Sequence, residues 1–164
     1  MKNIILIGMP ACGKSSIGVI LAKTASMSFV DTDIIIQETE NTKLQDIINS
    51  RGMDEFLKVE ENALLSVDFE NTVIATGGSA VYSENGMNHL KETGTVVYLK
   101  LPLFVIQKRL KNIHTRGIAM KPGETLADLY AYRKPFYERW ADITIDCENL
   151  TVEEVVEAII KEFE

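Results

Sequence analysis

Short runs of apolar residues alternate along the chain with longer segments that have helical spacing. The runs are almost continuously apolar and end at or near glycine, proline or aspartate, which predicts buried strands. These strands lie at residues 4–7, 27–30, 72–76, 95–99 and 143–145. Helices are predicted at about 14–25, 44–49, 53–65, 103–111 and 126–140, and a last one runs from the Thr151–Glu154 capping box to about 162. This alternation predicts an α/β fold with a parallel sheet covered on both faces.

Composition narrows the class of protein further. A length of 164 residues fits one domain, and 46% hydrophobic with 25% charged residues excludes a disordered chain, a collagen-like fibre and a disulfide scaffold. A net charge of −7 argues against nucleic-acid and acidic-membrane partners, while leaving a local basic pocket open. No apolar run is long enough to cross a bilayer, and no signal-peptide cleavage site follows the first run. Because Cys12 and Cys147 are far apart, we expect two free thiols and a cytoplasmic location.

A glycine-rich loop follows the first predicted strand. Residues 8–15, GMPACGKS, match the phosphate-binding pattern GxxxxGK[ST] at every fixed position, between a strand and a helix. Backbone N–H groups and the helix N-terminus would hold phosphate, Lys14 would reach the β- and γ-phosphates, and Ser15 would bind Mg²⁺. The alternative is a tight turn with an exposed lysine. Cys12 is either an oxidation-sensitive thiol or a space-filling residue. The predicted ATP-binding residues here are Gly8, Ala11, Cys12, Gly13, Lys14, Ser15 and Ser16.

Polar and glycine residues also follow the second and third predicted strands, where ligands bind to parallel sheets. Asp31 and Asp33 would face one pocket if the segment were extended, one near Mg²⁺ and the other accepting a proton from an attacking hydroxyl. The alternative is that one of them only caps a following helix. Gly77 and Gly78, followed by Ser79, permit close approach of a ligand to the backbone, although a plain turn is the other interpretation.

Three arginines stand out in this acidic chain. Arg109 lies near a predicted helix end, Arg116 lies in the polar segment 111–124, and Arg133 precedes Pro135. The segment 111–124 has little apolar periodicity and could act as a lid that brings an arginine to the transferring phosphoryl group. Guanidinium groups suit carboxylate or phosphate, but a solvated surface position is the ordinary alternative for each arginine.

Taken together, these residues resemble the shikimate kinase family of P-loop small-molecule kinases, nearly end to end. Its phosphate loop, its DxD pair, most of GExxFRxxE, the start of a triple glycine, two ATP-side arginines and RxPxY are all present. The matching positions are 8–15, Asp31, Asp33, Gly52, Phe56, Glu60, Gly77, Gly78, Arg109, Arg116, Arg133, Pro135 and Tyr137.

The resemblance implies a three-layer fold like that of nucleoside-monophosphate kinases, with a five-stranded parallel sheet and flanking helices in one domain, 1–164. It implies a substrate-binding helical region at about 33–62 and a lid at about 111–124. Apart from the resemblance, we expect a monomer without nucleic-acid or membrane partners. The implied reaction uses ATP and Mg²⁺ to convert shikimate to shikimate 3-phosphate in aromatic amino-acid biosynthesis.

The resemblance also implies roles for single residues. Lys14, Asp33 and Arg116 would be catalytic, and Ser15 with Asp31 would hold Mg²⁺. Arg109 would lie on the adenine side of ATP. The implied substrate-binding residues are Asp33, Gly77, Gly78, Ser79 and Arg133.

The substrate half departs from the family pattern, whereas the phosphate half does not. Leu57 replaces the arginine of GExxFR, Met53 replaces its glutamate, and Ser79 replaces the third glycine. The missing arginine should cost roughly 1.5–3 kcal/mol of charge-assisted hydrogen bonding to a substrate carboxylate. Two alternatives stay open: a kinase of another small hydroxylated metabolite, such as a hydroxy amino acid or sugar acid, and a nucleotide-binding module without kinase activity.

Overall fold

The computed structural model describes residues 2–110 and 118–164. Its strands and helices alternate as the apolar pattern predicts. The strands are β1 Asn3–Ile7, β2 Ser28–Asp31, β3 Thr72–Ala75, β4 Gly94–Lys100 and β5 Ile143–Asp146. The helices are α1 Lys14–Thr24, α2 Thr32–Glu40, α3 Leu44–Arg51, α4 Met53–Leu65, α5 Glu84–Thr93, α6 Leu103–Arg109, α7 Leu126–Trp140 and α8 Val152–Glu162, with a short 3₁₀ turn at Ala80–Tyr82.

The five strands form one parallel sheet in the order β2-β3-β1-β4-β5. The register places Ile5 of β1 between Ile74 of β3 and Val96 of β4. All three side chains are fully buried, because helices cover both faces of the sheet. The predicted α/β fold with a five-stranded parallel sheet is therefore confirmed. The carboxyl ends of β1, β2 and β3, where the candidate motifs begin, lie side by side.

Two separate apolar clusters hold the chain together. The larger surrounds the sheet and includes the buried residues of β1, β3 and β4 together with those of α1 and α8. The smaller lies among α2, α3 and α4, around Ile36, Ile47 and Phe56. This second cluster lies in the segment 33–62, where the helical region was expected.

Two helices, α2 and α5, were not predicted. The start of α2 is a run of β-branched isoleucines that gives no helical period, yet Asp31 caps it by accepting a hydrogen bond from the Asp33 N–H (2.9 Å). The expected extended geometry around the acidic pair is therefore wrong, since Asp33 lies in the first turn of a helix. The mostly polar α5 is capped in the same way by Ser83, which accepts a bond from the Gly86 N–H (2.9 Å).

Helix α6 ends at Arg109, whereas the sequence predicts a helix to about 111. Residue 111 itself lies outside the described residues. Residues 118–124 of the expected lid are described, whereas 111–117, including Arg116, lie outside the described residues. Within the described ranges, no helix is long and apolar enough to span a membrane.

Candidate active site

The loop between β1 and α1 turns through left-handed backbone conformations at Ala11 (φ 63°) and Gly13 (φ 96°). Gly13 precedes α1, whose first turn has no acidic residue and no side-chain cap. The first N–H groups of α1 and its partial positive charge are therefore free to hold an anion. Gly8 is required by packing, because a Cβ there would lie 2.8 Å from Cys12 Sγ and 2.9 Å from the Leu99 carbonyl oxygen.

Lys14 and Ser15, at the start of α1, have defined partners. The buried Lys14 Nζ donates to the carbonyl oxygens of Gly8 (2.7 Å) and Met9 (3.0 Å), which holds its charge over the loop. Ser15 Oγ donates to Asp31 Oδ2 (2.8 Å). A hydroxyl and a carboxylate are thus neighbours beside the phosphate loop, which is the oxygen chemistry that Mg²⁺ prefers when phosphates supply further ligands.

A cavity of about 440 Å³ connects the loop with the carboxyl end of β3 and with α4 and α7. Most of the predicted site residues lie in its wall: Ala11, Gly13, Lys14, Ser15, Ser16, Asp33, Gly77, Gly78, Ser79, Arg109 and Arg133. Arg109 bonds to the loop itself, since its Nη1 donates to the Ala11 carbonyl oxygen (3.1 Å).

Gly8, Cys12 and Asp31 do not line this cavity. The Cys12 side chain packs in the larger apolar cluster, and its backbone N–H donates to the Met9 carbonyl oxygen (3.2 Å). This placement favours the space-filling interpretation of Cys12. Asp31 contacts the site through Ser15 and also caps α2. A place near Mg²⁺ and a role as helix cap are therefore compatible for this residue.

Gly77 packs closely against two carboxylates. A Cβ at Gly77 would lie 2.7 Å from Asp33 Oδ1 and 2.8 Å from Glu60 Oε2. Both carboxylates therefore contact the same point of the backbone, and only glycine allows this. Ser79 Oγ donates to Glu60 Oε1 (2.6 Å), whereas Glu60 Oε2 is buried without a hydrogen-bond partner among the described residues.

Arg133 is a buried cation in the wall of the same cavity, with 1% of its surface exposed. Its Nε donates to the Tyr82 hydroxyl (2.9 Å) and its Nη2 to the Ala119 carbonyl oxygen (3.0 Å). Its Nη1 has no partner within the described ranges and lies against Gly78, where a Cβ would come within 2.5 Å. A buried, unpaired guanidinium nitrogen in a cavity wall is a strong donor for a carboxylate.

Leu57 lines a neighbouring cavity of about 320 Å³ and not the one that contains Arg133. Its companions there include Met53, Tyr82 and Phe136. Ala119 lies in the walls of both cavities, so the two are adjacent. The positions of two family departures, Met53 and Leu57, thus make this second cavity mainly apolar.

Burial and repulsion from a neighbouring aspartate raise the pKa values of both carboxylates beside Gly77. Burial, with repulsion from Asp31, raises the pKa of Asp33 to about 6, although Lys14 opposes the change. Burial raises the pKa of Glu60 to about 7; repulsion from Asp33 adds to this, and the Ser79 hydrogen bond opposes it. The site therefore binds protons more readily than two ordinary carboxylates would.

We expect Glu60→Gln to stabilise the protein at high pH. Because folding raises the Glu60 pKa from 4.5 to about 7, the wild type loses stability as the pH rises through 7. Glutamine does not titrate, so the Tm difference in favour of the variant should grow by a few degrees between about pH 5 and pH 8. Thermal unfolding at several pH values measures this, and a constant difference would contradict the assignment.

Glu60 is the principal site residue that the sequence motifs alone did not single out. It appeared only as a match to the family pattern, with no role assigned. A signal was present, because Glu60 interrupts the apolar face of α4 formed by Phe56, Val59 and Ala63. A charged residue on the buried face of a helix requires a partner or a function.

This fold and this cavity define the class of small-molecule kinases with a phosphate-binding loop. The family model described as shikimate kinase matches residues 10–164. A shikimate kinase of Thermodesulfovibrio yellowstonii is 39% identical over all of this chain and 96% of its own length. The chain belongs to the shikimate kinase family.

Solved structures agree with this assignment. The shikimate kinase of Acinetobacter baumannii in complex with shikimate has a TM-score of 0.89 and 27% identity, over 99% of this chain and 93% of its own. The shikimate kinase of Aquifex aeolicus has a TM-score of 0.84 and 31% identity, over 98% and 95%. The similarity therefore covers both the phosphate half and the substrate half of the chain.

Proposed function

We propose that this protein transfers the γ-phosphoryl group of ATP to a hydroxyl of shikimate, giving shikimate 3-phosphate and ADP. One observation carries the proposal: a single cavity joins the phosphate loop to Asp33 and to the unpaired Nη1 of Arg133. The cavity therefore offers a phosphate site, a base beside it and an anchor for a carboxylate. Family membership supports the choice of shikimate, which carries both a carboxylate and hydroxyl groups.

At the ATP end, the first N–H groups of α1 and Lys14 bind the phosphates, and Arg109 borders the cavity on the adenine side. Lys14 stabilises the negative charge that develops on the phosphoryl oxygens. Ser15 and Asp31 fit Mg²⁺, because their oxygens are adjacent at 2.8 Å beside the loop. Bound Mg²⁺ would neutralise phosphate charge.

At the acceptor end, Arg133 holds the substrate carboxylate through Nη1, and Gly77 and Gly78 allow the ring to approach the backbone. Asp33 orients the acceptor hydroxyl and takes its proton. The hydroxyl oxygen then bonds to the γ-phosphorus, the bond from that phosphorus to the bridging oxygen breaks, and ADP leaves. Arg116 lies outside the described residues, and its role at the transferring phosphoryl group is proposed on the family pattern alone.

The test is release of ADP from purified protein with MgATP, with and without millimolar shikimate. We expect shikimate-dependent ADP release and a phosphorylated product with the mass of shikimate 3-phosphate. Protein that binds ATP but releases no ADP with shikimate would overturn the proposal.

A second candidate is phosphorylation of another small hydroxylated metabolite. It is favoured by Leu57, which makes the neighbouring cavity apolar where the family pattern has an arginine. A panel of hydroxy amino acids and sugar acids distinguishes the two, because turnover of one of these without turnover of shikimate would select the second candidate. ATP binding without transfer to any acceptor would instead indicate a nucleotide-binding module.

We expect Leu57→Arg to lower the KM for shikimate by up to about tenfold, because it adds a second cation near the carboxylate. The cavity that Leu57 lines adjoins the acceptor cavity at Ala119, which borders both. Steady-state kinetics measure the change, and Leu57→Met is the uncharged control. An unchanged or higher KM would mean that the acceptor pocket is built around another ligand.

A further inference from the structure

Ser79 and Glu60 both lie in the wall of the acceptor cavity. Both are buried, with 5% and 2% of their surfaces exposed. The Ser79 hydroxyl donates to Glu60 Oε1 (2.6 Å). That Ser79 binds substrate stays a prediction, and its hydroxyl already has a partner within the protein.

Glu60 has no ion-pair partner among the described residues. The described salt bridges join other groups, and its Oε2 makes no hydrogen bond there. Leu57 lies one turn before Glu60 on α4, at a spacing where an arginine would reach the carboxylate. With leucine at that position, the Ser79 hydroxyl is the donor that holds Glu60 in place.

The position of Glu60 matters because Gly77 packs directly on it. Glu60 Oε2 and Asp33 Oδ1 each lie within 2.8 Å of the point where a Cβ of residue 77 would stand. The next residue, Gly78, packs against Arg133 Nη1 and Pro10 Cδ, and its carbonyl oxygen accepts a bond from the Tyr137 hydroxyl (2.7 Å). A displaced Glu60 would therefore shift the Gly77–Gly78 turn, which packs against both Asp33 and Arg133.

We propose that the Ser79–Glu60 hydrogen bond positions the Gly77–Gly78 turn for binding of the acceptor, and that Ser79 thereby compensates for leucine at position 57. Ser79 and Glu60 are positioning residues, since they act through the turn and do not touch the reacting atoms. The inference rests on shikimate being the acceptor.

Ser79→Ala removes one oxygen and leaves the rest of the turn intact. We expect the KM for shikimate to rise about tenfold, while kcat and the KM for ATP stay within about threefold of the wild type. Glu60→Ala removes the other partner of the same hydrogen bond, so its KM for shikimate should rise at least as much as in Ser79→Ala. A general loss of structure would affect both substrates and would lower the Tm.

The chain offers a matched control in Ser83. Its hydroxyl donates to Glu61, so this second pair also joins α4 to the segment after β3, but it does not line the acceptor cavity. Ser83 additionally caps α5, so Ser83→Ala should lower the Tm at least as much as Ser79→Ala. Its KM for shikimate should nevertheless match that of the wild type.

Steady-state kinetics of the three variants, with Tm measured for each, test the inference. Wild-type turnover of shikimate with an unchanged KM in Ser79→Ala would overturn it, as would equal increases in the KM values for shikimate and ATP. An unchanged KM for shikimate in Glu60→Ala would also overturn it, since the hydrogen bond would then have no effect on acceptor binding. Absence of shikimate turnover by the wild type would overturn the proposed function and this inference together.

Discussion

Replacing Lys14 by alanine is expected to lower kcat by about a thousandfold or more. The Lys14 ammonium is buried and is held over the phosphate loop by the carbonyl oxygens of Gly8 (2.7 Å) and Met9 (3.0 Å). In the proposed mechanism it therefore meets the phosphoryl group in a fixed position and stabilises charge without reorganisation during the reaction. Loss of one preorganised donor of this kind costs about a hundredfold to a thousandfold, and a full positive charge in a buried site contributes more.

Steady-state kinetics with MgATP and shikimate measure the effect, and calorimetric titration of ATP separates binding from chemistry. Lys23→Ala is the control, because Lys23 is an exposed lysine in the last turn of the same helix. A Lys14→Ala variant that folds and keeps kcat within tenfold of the wild type would contradict the role assigned to Lys14.

Asp33→Asn is expected to lower kcat by about a hundredfold to ten thousandfold, with little change in the KM for shikimate. The amide keeps the shape and a hydrogen bond to the acceptor hydroxyl, but it cannot take the proton. Asp46→Asn, on the exposed surface of α3, is the control. A fall in affinity without a fall in kcat would show that Asp33 only binds the acceptor.

The pH profile gives an independent test of the same residue. In the proposed mechanism Asp33 acts in its ionised form. Its pKa is raised to about 6, so kcat/KM should fall as the pH is lowered through about 6. The positive charge of bound Mg²⁺ would lower the pKa of Asp33, so this acidic limb of the pH profile would move to lower pH. The limb should disappear in Asp33→Asn, and its persistence there would assign it to another group.

Most of the fold could be predicted from local patterns. The five strands are nearly continuous apolar runs, and the phosphate loop is recognised by residues 8–15 alone, because its function depends on backbone conformation. The capping boxes at Thr125 and Thr151 begin α7 and α8, although only the second was identified as a box beforehand. Family membership, expected from the ordered motifs, is likewise confirmed.

What the sequence did not indicate depends on contacts between distant segments. Helix α2 forms because tertiary packing of Ile36 and a cap from Asp31 outweigh the poor local pattern. The pairing of Ser79 with Glu60 joins residues 19 positions apart, and no spacing rule connects a serine after a strand with a glutamate on a preceding helix. Motif spacing likewise does not predict that Leu57 lines a separate cavity.

The division of the core into two apolar clusters bears on how this enzyme can diverge. The phosphate loop is anchored on the larger cluster through Met9 and Cys12, whereas Met53 and Leu57 pack on the smaller one. Mutations at sites with no shared partners have nearly independent effects on stability. Substitutions at Met53 and Leu57 should therefore leave the phosphate loop intact, so that acceptor preference can drift over generations while phosphoryl transfer remains under selection.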